Sequence, residues 1–339
     1  MITVLAGGVG AARLLRGMVR AVPASEITAI VNTADDVVLH GLHVSPDLDT
    51  VTYTLAEAGN PETGWGLAGE TWQAMDALDR FGGPTWFRLG DRDLGTHLHR
   101  TGRLAEGAGL ATVTAEITAA WGLEVTLLPM TEDPVATMVT LADGGGTGRE
   151  AGGEVGFQEY FVRLGHSVAV DSVRFDGAEN SRPGPGVLDA LAGADVVVIA
   201  PSNPIVSIGP LLAVPGIADV LRARRADTVA VSPIVAGAAL KGPADRLMRE
   251  LGHEASVVGV ARLYRDLAAT LVVDTADAGL ADAVEAEGMA CVVTDTIMSS
   301  PDVAAGLARR ILGMPAEDLT PDAGVTPAAG ASRNAEARR

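Results

Sequence analysis

The sequence predicts an α/β protein with a Rossmann-like, doubly wound and mainly parallel sheet. Short runs of Val, Ile and Leu without polar alternation alternate with helix-length amphipathic stretches along most of the 339 residues. Solid apolar runs are typical of strands covered on both faces, and their alternation with helices indicates parallel pairing. Polar clusters follow several of these runs directly, which is where ligands bind in such sheets.

The elements follow from this alternation in chain order. The amphipathic stretches predicted to be helices include Ala11–Ala21, Gly186–Ala192 and Ile217–Arg225. Eight apolar runs are predicted to be strands. They are Ile2–Ala6, Ile27–Val31, Val125–Leu128, Val196–Ala200, Thr228–Ser232, Ser256–Val260, Leu271–Asp274 and Ala290–Thr294.

Two regions depart from the alternation. The helix-rich stretch Trp65–Leu110 predicts a helical insertion at about residues 62–120. A glycine-dense loop, Leu141–Gly153, precedes Phe157–Val162 and Ser167–Phe175, which predict a small extended-strand region. Residues 1–319 are predicted to form a single elaborated domain. Residues 320–339 are rich in Ala, Pro and Gly without an apolar stripe, and are predicted to be a disordered tail.

Composition excludes several classes of function. The chain has 43 acidic and 25 basic residues and a formal charge of -18, which argues against a nucleic-acid surface. The single cysteine, Cys291, excludes an intrachain disulfide and a multi-cysteine metal site. No apolar run approaches the roughly 20 residues of a membrane span, and the first ten residues lack the basic region of a signal peptide. A cytoplasmic protein without a membrane partner is expected.

A glycine-rich turn follows the first predicted strand and opens the first helix. Gly7, Gly8 and Gly10 would let the backbone approach a phosphate at the helix N-terminus. The turn is not a Walker A loop. Arg13 replaces the third small residue of the dinucleotide fingerprint, and Asn32 stands where a nicotinamide dehydrogenase carries an acid. A plain tight turn remains the alternative to a phosphate contact.

Polar residues also follow the second predicted strand. Asn32 is a candidate hydrogen-bond partner for a base or sugar, whereas Asp35 and Asp36 are interpreted as helix caps or solvated loop acids. Further on, Asp47 and Asp49 are two residues apart, and an extended or turn segment would aim both carboxylates at one point. Such a pair suits Mg²⁺ beside a substrate phosphate.

An equally good interpretation makes Asp47 and Asp49 purely structural. An Asx-type turn after Pro46, or Asp49 capping a helix over Thr50–Ala58, explains the same residues.

Three other loops carry candidate residues. Arg88 lies between aromatic and glycine residues and could grip a phosphate or carboxylate. Ser202 and Asn203 follow an apolar strand where a substrate would lie, although a structural turn fits them too. Lys241, the only lysine, is either a phosphate contact or a solvated side chain. His97, with no third partner at metal spacing, is interpreted as a plain polar residue.

Together these segments resemble the 2-phospho-L-lactate transferase family of coenzyme F420 biosynthesis, whose actinobacterial members are called phosphoenolpyruvate transferases. The resemblance covers roughly residues 1–312 in order, and the tail after Thr320 lies outside it. The segments that carry it are Leu5–Gly10, Val31–Asp36, Gly41–Leu42, Ser45–Val51, Leu89–Leu94, Leu128–Thr131, Phe157–Val162, Pro201–Ile205, Ser232–Pro243 and Thr294–Met298.

The resemblance implies a Mg²⁺-dependent transferase and a homodimer. Such an enzyme moves a phosphoenolpyruvyl or 2-phospho-L-lactyl group from a GDP-activated donor, enolpyruvyl- or lactyl-2-diphospho-5′-guanosine, to the deazaflavin Fo. GMP leaves, and the product is dehydro-F420-0 or F420-0. The Fo-contacting positions of the family match Asp49 and Arg88 here. The likeness to actinobacterial members favours enolpyruvate.

Roles for the candidate residues follow from that chemistry. We expect Asp49 to orient or deprotonate the attacking hydroxyl, and Asp47 and Asp49 to share Mg²⁺. Gly7, Gly8 and Gly10 would take diphosphate oxygens. Asn32, Ser202 and Asn203 would hold the nucleotide or the carboxylate of the donor.

A different class of protein is the alternative. A related group shares the glycine-rich opening and the Asn32–Asp36 element, and its members are sugar-nucleotide-binding regulators of carbon metabolism without transfer activity. The combination of Gly90–Asp93 with Pro201–Pro204 favours the transferase. Binding of Fo would separate the two, because a regulator should not bind it.

Overall fold

A computed structural model describes residues 1–142 and 153–314 of the chain. Its strands are short and mostly buried. In chain order they are β1 (Ile2–Ala6), β2 (Ile27–Val31), β3 (Val37–Leu39), β4 (Leu42–Val44), β5 (Thr126–Pro129), β6 (Ala136–Leu141), β7 (Glu154–Gly156), β8 (Val170–Asp176), β9 (Val196–Ile199), β10 (Thr228–Val231), β11 (Ile234–Val235), β12 (Ala238–Ala239), β13 (Thr270–Asp274) and β14 (Ala290–Thr294).

Helices occupy most of the connections between these strands. They are α1 (Gly8–Met18), α2 (Pro46–Leu55), α3 (Gln73–Arg80), α4 (Asp93–Ala105), α5 (Leu110–Ala120), α6 (Val187–Gly193), α7 (Gly209–Ala213), α8 (Ile217–Ala223), α9 (Ala244–Glu250), α10 (Val257–Tyr264), α11 (Ala281–Ala286) and α12 (Pro301–Ile311).

The main sheet has seven strands in the order β14-β13-β10-β9-β1-β2-β5, and every pairing is parallel. From β1 the chain runs outward through β2 and β5, and then returns to the other side of β1 to form β9. The direction of winding therefore changes between β1 and β9, which is where open α/β sheets bind ligands. The predicted fold class is confirmed.

Each face of the sheet is covered by its own apolar core. Along β1, Ile2, Val4 and Ala6 belong to the core that includes α1, α2 and α12, while Leu5 belongs to the core on the opposite face with α6, α8 and α10. Side chains alternate between the faces of a strand. The solid apolar runs of the sequence thus reflect burial on both sides.

The chain between α2 and β5 is helical and holds α3, α4 and α5. Helix α4 packs against α5 and against β4, which forms an antiparallel hairpin with β3. A separate antiparallel sheet has the order β7-β6-β8. The hairpin follows β2 directly, and the N–H of Thr137 in β6 donates to the carbonyl oxygen of Ala34, so both small sheets adjoin the carboxyl end of β2. The single-domain boundary at residue 319 stays a prediction.

Two strand predictions are wrong. Ser256–Val260 forms the start of α10, where the Ser256 hydroxyl accepts a hydrogen bond of 3.2 Å from the backbone N–H of Gly259. Phe157–Val162 is helical and overlaps a π-helical turn, Glu159–Arg163. Its aromatic rings at helical spacing contact one another, and the centroids of Phe157 and Phe161 are 5.5 Å apart. Apolar runs this short do not distinguish a buried helix from a strand.

Two other predictions concern residues outside the described ranges. They are the central part of the glycine-dense loop, residues 143–152, and the tail, residues 320–339. Among the described helices, no single one is long and apolar enough to cross a membrane. One bent pair, Pro204–Ala213 with Ile217–Ala223, passes that test on length and composition alone.

Candidate functional site

The glycine turn after β1 meets the loop after β9 at the point where the sheet changes direction. The backbone N–H of Gly7 donates to Ser202 Oγ over 3.3 Å, and Ser202 Oγ donates to the carbonyl oxygen of Gly7 over 2.7 Å. Helix α1 begins at Gly8 without a side-chain cap. The positive end of its dipole therefore faces this junction.

Close backbone contact explains the glycines of the turn. A Cβ atom at Gly10 would lie 2.2 Å from the carbonyl oxygen of Pro201, and one at Gly7 would lie 2.7 Å from Ser207 Cβ. Gly8 has a φ of +66°, in the left-handed region that favours glycine. Packing thus accounts for the tight turn, and the phosphate contact of Gly7, Gly8 and Gly10 stays a prediction.

Asn32 connects the carboxylates of Asp35 and Asp47 beside this junction. It is fully buried at the end of β2, and its Nδ2 donates to Asp35 Oδ2 over 3.0 Å and to Asp47 Oδ2 over 3.1 Å. Its Oδ1 accepts from the N–H of Ala34 over 2.9 Å. The backbone N–H of Gly8 also donates to the Asp47 carboxylate. Through Asn32, an acidic cluster is fixed against the first turn of α1.

The acids of this cluster are crowded and poorly hydrated. Burial raises the pKa of Asp47 to about 6, although hydrogen bonds from Asn32 and from Gly8 oppose the shift. Burial and the charge of Asp47 hold the pKa of Asp35 well above its usual range. Burial likewise raises the pKa of Asp36, against a 2.6 Å hydrogen bond donated by Ser45 Oγ.

One oxygen atom of this cluster remains without a partner among the described residues. Asp36 Oδ1 is buried and accepts no hydrogen bond, whereas the Asp35 carboxylate is also stabilised by the Thr137 hydroxyl. An unpaired buried carboxylate oxygen is unfavourable unless a proton or a cation satisfies it. Oxygen atoms of this kind are what Mg²⁺ binds. The Asp35, Asp36 and Asp47 carboxylates, called the acid cluster below, therefore concentrate negative charge that a cation would relieve.

Asp49 faces a different group of residues. Arg100, only 2% exposed, donates from Nη1 to Asp49 Oδ2 over 3.1 Å and from Nη2 to Asp49 Oδ1. His97 Nδ1 lies 3.7 Å from Asp49 Oδ2, and His97 Nε2 lies 3.3 Å from Asp93 Oδ2. Burial lowers the pKa of Arg100, but the charge and hydrogen bonds of Asp49 outweigh it and raise the pKa overall.

Asp49, Asp93 and His97 bring three possible metal ligands together within the described part of the chain. One ligand atom from each lies within 4.8 Å of the others, and all three side chains are buried or nearly so. The guanidinium of Arg100 already supplies positive charge there, since its Nη1 lies 3.4 Å from His97 Nδ1 and contacts Asp49. A metal ion at this triad would have to share that space with a cation that cannot lose its proton.

The segment that carries Asp47 and Asp49 is helical, so the predicted extended or turn conformation is wrong. Both lie in the first turn of α2, which begins at Pro46. The alternative of Asp49 as the cap of a later helix is also wrong. Residues two apart on a helix point about 200° apart. Asp47 therefore contacts Asn32 and the glycine turn while Asp49 contacts Arg100. Whether they share a metal stays a prediction.

Arg88 lies at the surface of the helical region. Its Nη2 donates to Asp76 Oδ1 over 2.8 Å, and its guanidinium carbon lies 5.1 Å from the ring centroid of Trp72. Half of the Arg88 side chain and more than half of the Asp76 side chain are exposed. An exposed pair of this kind is weak, and the binding of Fo by Arg88 stays a prediction.

The remaining predicted residues mainly shape loops. Ser202 holds the glycine turn, and Asn203 Oδ1 accepts from the N–H of Ile205 over 2.9 Å at the start of a π-helical turn. Lys241 Nζ lies 3.3 Å from the carbonyl oxygen of Thr63. These contacts match the structural-turn interpretation of the loop after β9. Direct nucleotide contacts of Ser202 and Asn203 stay predictions.

The sequence interpretation missed several residues of the site. Asp35 was interpreted as a cap or solvated acid but is buried, and His97 was interpreted as a plain polar residue but lies between two carboxylates. Arg100 was not singled out. No feature of the sequence around Arg100 indicates that it pairs with an acid 51 residues earlier.

Comparison with known proteins decides the family. The model of the family described as 2-phospho-L-lactate transferase CofD matches residues 2–307. The chain belongs to the CofD family. A phosphoenolpyruvate transferase of Kitasatospora aureofaciens is 46% identical over 316 residues, covering 92% of this chain and 97% of that protein. One from Streptomyces griseus is 45% identical over 318 residues, covering 93% and 98%.

Solved structures support the CofD-family fold. A member of the UPF0052 family from Bacillus halodurans superposes with a TM-score of 0.58 at 20% identity, covering 92% of this chain and 98% of that one. At that identity the likeness concerns the fold alone. The resemblance inferred from the sequence is confirmed, and this CofD-family protein is a transferase of coenzyme F420 biosynthesis.

Proposed function

We propose that this CofD-family transferase moves the phosphoenolpyruvyl group from enolpyruvyl-diphospho-5′-guanosine to the deazaflavin Fo. A bond forms between the terminal ribityl oxygen of Fo and the phosphorus that bears the enolpyruvyl group. The bond from that phosphorus to the GMP oxygen breaks, the hydroxyl loses its proton, and the products are dehydro-F420-0 and GMP. The observation that carries this proposal is the acid cluster fixed by Asn32 against the N-terminus of α1.

The donor diphosphate is proposed to lie between the glycine turn and the acid cluster. The N-terminus of α1 attracts its negative charge, and Gly7, Gly8 and Gly10 keep the backbone free of side chains there. The same charge would be repelled by Asp35, Asp36 and Asp47 unless a cation lay between them. This conflict supports the prediction that the enzyme uses Mg²⁺.

Mg²⁺ is proposed to bind to the acid cluster. Asp47 and Asp35 share the amide of Asn32, and Asp36 Oδ1 has no partner among the described residues. Arg100 donates hydrogen bonds to both oxygens of Asp49. Asp49 is therefore a weaker metal ligand than the predicted Asp47–Asp49 pair requires. When bound, the ion would neutralise charge on the transferred phosphate and on the leaving GMP.

The acceptor is proposed to lie along Asp49 and Arg88. Asp49 would accept a hydrogen bond from the attacking hydroxyl and orient it. Arg88, already stacked on Trp72, would bind the acceptor through its guanidinium. The nucleotide or the donor carboxylate would be surrounded by Asn32, Ser202 and Asn203. The contribution of Ser202 would be to shape the turn at Gly7, with which it exchanges two hydrogen bonds. A homodimer remains part of the proposal through the family alone, and a cytoplasmic location through the composition of the chain.

The test is mass spectrometry of the product made from Fo with each candidate donor and Mg²⁺. The expected result is dehydro-F420-0 with release of GMP from the enolpyruvyl donor. Faster formation of F420-0 from the lactyl donor would show that the choice of three-carbon acid is wrong. No adduct from either donor, together with no change in Fo fluorescence on titration, would refute the transferase assignment to these substrates.

A further inference from the structure

The contact between α2 and α4 contains a buried polar network. Helix α2 contributes Asp49 and Tyr53, which are four residues apart, and α4 contributes Asp93, His97 and Arg100 at the matching helical spacing. Tyr53 Oη donates to Asp93 Oδ1 over 2.5 Å. His97 lies between Asp93 and Asp49, and Arg100 donates to Asp49. The polar contacts therefore form a closed ring between α2 and α4.

This network has little value for stability. A buried ion pair loses hydration that its attraction scarcely recovers, and apolar residues of similar size often stabilise a protein equally well. The pair of Arg100 with Asp49 is nearly inaccessible to water, with side chains 2% and 7% exposed. Its geometry instead fixes one carboxylate. Both oxygens of Asp49 are held by two nitrogens of one planar guanidinium, and Arg100 Nη1 also donates to the carbonyl oxygen of His43.

Resting on the proposed function, we propose that Arg100 and His97 are positioning residues for Asp49. They hold the Asp49 carboxylate in one orientation behind the acceptor site, while Asp47 in the same helical turn faces the acid cluster. Neither residue is proposed to touch a substrate. Their effect passes through Asp49 alone, and this is the feature that an experiment can isolate.

A double-mutant cycle tests this claim. Arg100→Met should lower kcat/KM for Fo about 10- to 100-fold, the range seen when the partner that orients a functional side chain is lost. Asp49→Asn should lower it at least as much. If Arg100 acts only through Asp49, the Arg100→Met/Asp49→Asn double variant should lie within about twofold of Asp49→Asn alone. A role of Arg100 that does not pass through Asp49 would make the two losses multiply.

The double variant also protects the test against misfolding. Arg100→Met alone leaves Asp49 buried and unpaired, whereas the double variant removes both charges together. Arg100→Lys keeps the charge but not the planar fork, so it should recover less than half of the lost activity. Guanidinium ion at a concentration far below denaturation should raise the activity of Arg100→Ala but not that of Arg100→Ala/Asp49→Asn.

Arg103→Met is the matched control. Arg103 lies on the same helix and pairs with Glu116, but it is one third exposed and contacts no residue of the network among those described. This variant should keep wild-type kcat/KM. An Arg100→Met enzyme as active as Arg103→Met, or a double variant far worse than Asp49→Asn, would overturn the inference. A wild-type enzyme that makes no product from Fo would instead refute the proposed function.

Discussion

Replacing Asp47 with asparagine removes one charge from the acid cluster while keeping the shape of the side chain. Burial raises the pKa of Asp47 from 3.8 to about 6, against hydrogen bonds from Asn32 and the N–H of Gly8. One pKa unit corresponds to about 1.4 kcal/mol between the two protonation states. The ionised carboxylate therefore destabilises the metal-free protein by about 3 kcal/mol at neutral pH.

The sign of the pH dependence follows from the direction of this shift. Because folding raises the pKa of Asp47, the folded state favours the protonated form. The associated stability is fully present below pH 3.8 and is lost as pH rises through about 6. Asp47→Asn does not titrate. The free energy of unfolding of Asp47→Asn should exceed that of the wild type by an amount that grows from pH 4 to pH 6 and then stays constant at about 3 kcal/mol.

Thermal unfolding in EDTA between pH 5 and pH 8 measures this difference. For a chain of this length about 3 kcal/mol corresponds to a rise in Tm of about 4 °C, and roughly half of it should be present at pH 5. Asp219→Asn is the control, because Asp219 is exposed and paired with Arg222. Saturating Mg²⁺ should raise the Tm of the wild type and not of Asp47→Asn. Equal stability of the two proteins at pH 8 in EDTA would refute the reasoning.

Three further substitutions test other parts of the site. Gly10→Ala should destabilise the protein by about 1–3 kcal/mol in chemical unfolding, because the new Cβ would lie 2.2 Å from the Pro201 carbonyl oxygen. The control is Gly306→Ala on α12, which should be neutral or stabilising because a Cβ there meets open space. Arg88→Ala should raise the apparent Kd for Fo about tenfold in fluorescence titration with kcat nearly unchanged; an unchanged Kd would contradict its role. Asp49→Asn should lower turnover at least 100-fold or so with Mg²⁺ present, and near wild-type turnover would exclude it from the reaction.

Most of the main sheet could be predicted because its strands are buried on both faces. The bounds of β1, β2 and β14 match the apolar runs in the sequence, and β5 begins one residue later than predicted. The same signal failed at α10, since a buried helix of Val and Gly is as apolar as a strand. There the Ser256 side chain, which caps the helix, was the only local sign of its start.

The site could be predicted only as far as the parallel sheet determines it. Gly7, Asn32 and Ser202 follow β1, β2 and β9, and strands that are neighbours in a parallel sheet bring their carboxyl ends together. The partners of Asp49 come instead from α4, in the helical region, which no strand rule places. Long-range pairing of Arg100 with Asp49 depends on how two helices pack, and one sequence carries no sign of it.

The helical conformation of Pro46–Leu55 turns one pair of acids into two sites. An extended segment would put Asp47 and Asp49 side by side, where both could bind one cation. On the first turn of α2 they point to opposite sides, so each is compensated separately: Asp47 by Asn32 and the N–H of Gly8, and Asp49 by Arg100. The charge of Asp47 is only partly compensated, because the neutral donors of Asn32 and Gly8 do not cancel a charge as the guanidinium of Arg100 does for Asp49. A cation brought in with the donor would therefore be drawn to Asp47, while Asp49 remains fixed for the acceptor.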